Sequence, residues 1–266
     1  MSAGTVDIKG APLTLALAGA ALAVLFLLPA WCFYALLAAG VALGTCEVLV
    51  RTHPGDALAR GAGTLLALGH SATLWFFESN VRVLVPAQSL LAMSAMSIAV
   101  WRRGPPETVA LRMMAIPFAP LWVGLLTYLA LARREMGADG SSYALLTIAV
   151  AGLAGGAGVV VERAFARGPV LSPPTWAPIV AGFALAIALG AAGAFALQEL
   201  GVVSIPALHA VLIGGAMAGA GELGRIGKTL FVRSTGSATR GTALLDRVDA
   251  LLFASAVAYG YTRYLH

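Results

Sequence analysis

The chain has 266 residues, of which 59% are hydrophobic and 11% charged. A soluble domain carries about 25% charged residues, so this chain cannot cover a water-facing surface and must use lipid as solvent. The formal charge of +5 does not indicate nucleic-acid binding, because the basic residues recur in short clusters between apolar runs rather than in a tract.

A helix needs about 20 apolar residues to cross the hydrocarbon core of a bilayer. In chain order this rule predicts spans at about 11–28, 30–49, 61–78, 83–101, 110–132, 142–162, 177–198, 202–224 and 247–265. The predicted fold class is all-α: a polytopic transmembrane helical bundle of about nine spans, in a single integral membrane domain over 1–266. The polar opening "MSAGTVDIKG" runs straight into the first span and reads as mature chain rather than a cleavable signal. Only "LLPAW" separates the first two spans, and Pro29 predicts a tight turn there. Cys32 and Cys46 share one apolar run and suggest neither a disulfide framework nor a zinc site.

Nine spans with a cytoplasmic N-terminus put 13 of the 17 Lys and Arg on the inner side. Arg82, Arg133, Arg134 and Arg263 fall on the other. That asymmetry is the one expected when positive loops stay inside, and it predicts a C-terminus outside; the expected location is the inner (plasma) membrane.

Two inner loops stand out: "VVVERAFARGPVLSPPTWAP", 159–178, and "GELGRIGKTLFVRSTGSATRGTALLDRVD", 221–249. Within the second, 224–232 predicts a short interfacial helix with Ile226, Leu230 and Phe231 on one side and Arg225 and Lys228 on another. The small-residue runs "AGLAGGAG" and "GGAMAGAG" predict close helix packing.

Asp246 and Asp249, at i and i+3, project on one helical face beside this basic loop. Paired carboxylates next to cations suit magnesium, which is held by one or two carboxylates together with substrate phosphates. The same residues could instead favour the positive start of the last helix, with Arg247 reaching for lipid phosphate.

The segment 221–249 resembles the C-terminal signature of the phosphatidate cytidylyltransferases (CDP-diacylglycerol synthases). "LLDRVD" matches the family's L-D-R-x-D element at Asp246, Arg247 and Asp249, and "FVRSTGSATRG" follows the preceding element at Arg233, Gly236 and Gly241. "VLSPPTWAPIVAG" is similar to its S-P-x-K-T-x-x-G element at Ser172, Pro173 and Thr175. The first hairpin, with Glu47 near the end of its second helix, also looks like the family's. The likeness is firm over 151–266 and faint over the N-terminal helices, 1–150.

Several positions depart from the signature. Two acidic positions become Arg225 and Lys228 in an ungapped reading, while a register three residues earlier offers Glu222. Val232 replaces a lysine, Ala238 and Thr239 replace a Lys-Asp pair, and the P-G-H-G-G turn is absent. Glycines and alanines around Gly155–Gly158 replace an A-D-S-G-A-Y element.

The resemblance implies transfer of CMP from CTP to phosphatidate, giving CDP-diacylglycerol and pyrophosphate in phospholipid synthesis. It implies Asp246, Asp249 and Arg247 as catalytic residues, with magnesium at the two aspartates. Arg233, Arg225, Lys228, Ser172 and Thr175 become substrate contacts. CTP, a phosphatidate-like membrane lipid and a second copy of the chain are the implied partners. The alternative is a catalytically inactive relative that binds anionic lipid or a partner membrane enzyme.

The remaining polar residues read as structural. Glu47, Glu78, Glu162 and Glu199, near span ends, are expected to be solvated or at the lipid interface. His70 and His209 are expected to be packed or hydrogen-bonded within their spans.

Overall fold

An apolar run can cross lipid only if its backbone polar groups are satisfied internally, and a helix does this within a single segment. The computed structural model describes residues 22–101, 106–165, 176–234 and 244–264, without side chains at 99–113, 162, 176, 233–234, 246 and 264. It is built from α1 (Ala30–Thr52), α2 (Ala57–Phe77), α3 (Val81–Trp101), α4 (Pro106–Gly124), α5 (Thr127–Glu135), α6 (Gly140–Phe165), α7 (Trp176–Glu199), α8 (Ala207–Ser234) and α9 (Leu245–Tyr264). Among the described residues there is no strand. Among the same residues, six segments are long and apolar enough to cross a membrane: Ala30–Thr52, Val81–Ile98, Met114–Glu135, Gly137–Phe165, Ala177–Glu199 and Ala207–Val232. The protein is an all-α membrane protein. The expected first span lies largely outside the described residues, which retain its end as a helical segment over 22–27.

The two helices that fall short of that criterion, α2 and α9, both have faces buried in the protein. α9 packs against α8, α5, α6 and α4. Its Leu245 and Leu252 join a core built mainly from α1 to α5. Ala250, Ala254 and Ala258, on another face, join a core built mainly from α6 to α8. A helix screened by protein on two sides need not be apolar all round, and α9 accordingly starts with Asp246, Arg247 and Asp249.

Sequence punctuation places the breaks. Pro29 precedes α1, and the Asp56 carboxylate caps α2 by accepting from the Ala59 N–H at 3.0 Å. Gly55 (φ 87°) and Gly201 (φ 69°) turn the chain before α2 and before α8 in a region that side-chain-bearing residues rarely adopt. The predicted span 110–132 is two helices joined at Leu125–Leu126, where the bonding tightens to three-residue steps. Pro117 and Pro120 have already removed two N–H donors from α4.

The expected interfacial helix over 224–232 is not a separate element. Those residues continue α8, whose 28 residues span about 42 Å, against about 30 Å of hydrocarbon. Arg225 and Lys228 thus stand within the last three turns of one continuous helix.

The two small-residue runs behave differently. Gly214 on α8 faces Gly190 on α7 so closely that a Cβ at either would meet the other's carbonyl oxygen, at 2.5 and 2.6 Å. This is the close packing expected of "GGAMAGAG". In "AGLAGGAG", by contrast, Ala154 and Ala157 are buried in the core, while a Cβ at Gly152, Gly155 or Gly156 would meet nothing within 4 Å. Those three glycines face a cavity instead.

Candidate anion site at one end of the bundle

The cavity has a volume of about 580 Å³ and lies between the C-terminal half of α6, the extension of α8 and the start of α9. One wall is apolar and glycine-lined, from Ile148 to Val159. The opposite wall carries Arg225, Lys228 and Thr229 from α8 and Arg247 and Asp249 from α9. Four of the eight residues singled out by sequence therefore converge here: Arg225, Lys228, Arg247 and Asp249. Asp246 and Arg233 stand on the same two helices, but their side chains lie outside the described residues, as do Ser172 and Thr175 altogether.

The charges are paired across and along the helices. Lys228 Nζ lies 2.6 Å from Asp249 Oδ2, tying α8 to α9. Asp249 is nearly buried, and its Oδ1 accepts from the Ala250 N–H at 2.7 Å. One turn earlier on α8, Arg225 donates from Nε to Glu222 Oε2 at 2.8 Å and from Nη2 to Oε1 at 2.7 Å. This fork-on-fork geometry fixes the guanidinium plane. Glu222 is completely buried, and both neighbouring helices make room for the pair. A Cβ at Gly158 of α6 would collide with the Arg225 side chain, and one at Gly182 of α7 would lie 2.8 Å from Glu222 Oε1. Arg247 is exposed and makes no ion pair among the described residues.

A divalent cation at this end would need free carboxylate oxygens. Among the described residues no group of three or more His, Cys, Asp or Glu gathers at one point. Glu222 is engaged on both oxygens by arginine, and Asp249 by lysine and a backbone amide. As arranged, Glu222 and Asp249 offer no uncommitted oxygen to a magnesium ion, and the side chain of Asp246, the other expected ligand, lies outside the described residues. The described lining suits an anion: Arg225, Lys228 and Arg247 outnumber Asp249, the one described carboxylate on the wall.

A third carboxylate supports the site from α1. Glu47, expected to be solvated or at the lipid interface, has a largely buried side chain: it lies 3.4 Å from Arg51 and accepts from the Leu245 N–H at 3.3 Å. It thus caps the start of α9, where a negative charge meets the positive helix end. Nothing local in the sequence marks which helix end Glu47 meets 198 residues away.

The opposite end of the bundle holds its own charges. Arg134 pairs with Glu78 and Glu135, and Glu135 reaches Arg263 at 3.6 Å. Glu78, also expected to be solvated, is largely buried under Arg134, which lies 4.6 Å over the Trp75 ring. Arg133 donates to the Leu28 carbonyl at 2.6 Å, satisfying an acceptor freed by the break at Pro29. Glu199 is exposed, as expected, and the Glu162 side chain lies outside the described residues. His70 Nδ1 lies 2.5 Å from Gln88 Oε1, and His209 Nδ1 lies 2.7 Å from the Tyr261 hydroxyl, so both are the hydrogen-bonded histidines expected. By helix rise, Asp249 and Arg263 on α9 are about 21 Å apart, which puts the two charged groups near opposite ends of the bundle.

Comparison with protein-family models and with curated proteins gives no match, so the likeness to the phosphatidate cytidylyltransferases rests on the residues themselves.

Proposed function

We propose that this protein binds a phosphate-bearing membrane lipid of the phosphatidate class in the cavity between α6, α8 and α9. The carrying observation is the placement of Arg225, Lys228 and Arg247 along one wall of a cavity whose other wall is apolar. A headgroup phosphate needs the first and a glycerolipid body the second. The proposed topology is nine spans, with 11–28, α2 and α9 joining the six apolar helices. The N-terminus and the cavity face the cytoplasm of the plasma membrane. The separation of charges to two ends of α9 supports that layout.

The test is native mass spectrometry of the full chain in mixed micelles, with phosphatidate competing against phosphatidylcholine. Preferential retention of phosphatidate, reduced in Arg247→Gln, is the expected result. Equal retention of the two lipids contradicts the reading.

A second reading adds chemistry: CMP transfer from CTP to the bound lipid. One observation favours it, since Arg247 and Asp249 of the L-D-R-x-D element both line the cavity. In that reaction a lipid phosphate oxygen attacks the α-phosphorus of CTP and pyrophosphate leaves with the electron pair of the broken P–O bond. Fixed cations would absorb charge on the leaving group. Incubation with labelled CTP, phosphatidate and magnesium decides it. A labelled CDP-lipid that vanishes in Asp249→Ala supports transfer, and no product leaves binding alone.

A further inference from the structure

The described carboxylates beside the cavity, Glu222 and Asp249, are arranged as holders of cations. Glu222 has no exposed surface, and both of its oxygens are given to Arg225. Glycines at 158 and 182 leave the space this pair fills, so the pair is built into the packing of three helices. Asp249 presents one oxygen to Lys228 and the other to the Ala250 amide. A carboxylate so engaged must give up a charge-assisted bond before it can ligate a metal.

We infer that the site holds its phosphate through fixed side-chain cations without a divalent metal ion, and that Glu222 is the positioning residue that aims Arg225. This rests on the proposed lipid-phosphate reading and departs from the magnesium site that the family resemblance implies. In the ungapped reading Arg225 and Lys228 stand where the signature has acids, so the positive charge that would arrive as a bound ion is carried by the chain itself. Among the described residues, the groups facing the cavity from α8 and α9 are Arg225, Lys228, Thr229, Arg247 and Asp249, with Glu222 behind Arg225, and the α6 wall adds no charge.

Binding of dioctanoyl phosphatidate to the full chain in micelles, measured by calorimetry with EDTA and again with excess magnesium, tests this directly. The expected dissociation constants agree within about twofold. Loss of binding in EDTA with recovery in magnesium overturns the inference while leaving the lipid-phosphate reading intact. Absence of binding under both conditions overturns both. Titration of Mn²⁺ followed by its paramagnetic resonance is the second measurement. No stoichiometric Mn²⁺ site is expected, and one that disappears in Asp249→Asn or Asp246→Asn overturns the inference.

The positioning role has its own readout. Glu222→Gln is expected to weaken phosphatidate binding about tenfold, yet to add no further loss in an Arg225→Gln background. A similar additional loss there would mean that Glu222 acts through something other than Arg225. Rescue in Glu222→Gln by magnesium would contradict the metal-free site.

Discussion

Lys228 on α8 and Asp249 on α9 form a 2.6 Å ion pair between two helices that also meet glycine against backbone at Gly224. A Cβ at Gly224, one turn before Lys228, would collide with the Asp249 carbonyl oxygen. The pair therefore sits where α8 and α9 approach closely, on the wall of the cavity. Both side chains are largely buried, so neither charge is tolerated alone.

Removal of one partner should cost more than removal of both. Lys228→Met strands the Asp249 carboxylate and should destabilise the bundle by about 3–5 kcal/mol, whereas Lys228→Met with Asp249→Leu should recover much of that. Unfolding in mixed micelles with increasing denaturing detergent measures the difference. A double variant as unstable as the single one would contradict the pairing.

Within "AGLAGGAG" and its neighbours, glycines should respond oppositely. Gly158→Ala pushes a methyl into the Arg225 side chain and should destabilise by about 1–3 kcal/mol. Gly155→Ala points into open space and, in a helix interior, should be neutral or stabilising by about 0.5–1 kcal/mol. The same detergent titration reads both. Equal destabilisation would mean that both glycines face packed helices.

The direction of insertion follows from the two charged ends. In a background lacking Cys32 and Cys46, Arg263→Cys should react with an impermeant maleimide in intact cells. Arg247→Cys should react only after permeabilisation. Both sites are exposed, so accessibility reports sidedness rather than burial. The reverse pattern would place the cavity outside.

The sequence made the helices and the charge clusters legible, and the reasons are local. Apolar runs of span length could fold only one way in lipid, and α1, α3, α6, α7 and α8 lie where those runs lie. Asp249 and Arg247 were visible because charge at the start of an apolar run is costly without a role. What could not be read was pairing at a distance. Glu47 and Leu245 are 198 residues apart, and Glu78 meets Arg134 across 56. Glu222 had two possible readings in sequence, as a shifted acidic position or as none. Its burial against Gly182 and its bond to Arg225 depend on α6, α7 and α8 meeting at one point. The glycines of α6 were misleading for the same reason, since a missing side chain can mark either a helix contact or the wall of a cavity.

Photocrosslinking with a phosphatidate analogue that carries a diazirine near its glycerol is the most direct measurement of the central claim. Peptides from 148–159 and 245–251 should carry the label, and excess phosphatidate should remove it while phosphatidylcholine does not. Label spread over the lipid-facing surface of α3, with no competition and no change in Arg247→Gln, would contradict a phosphate-lipid site in this cavity.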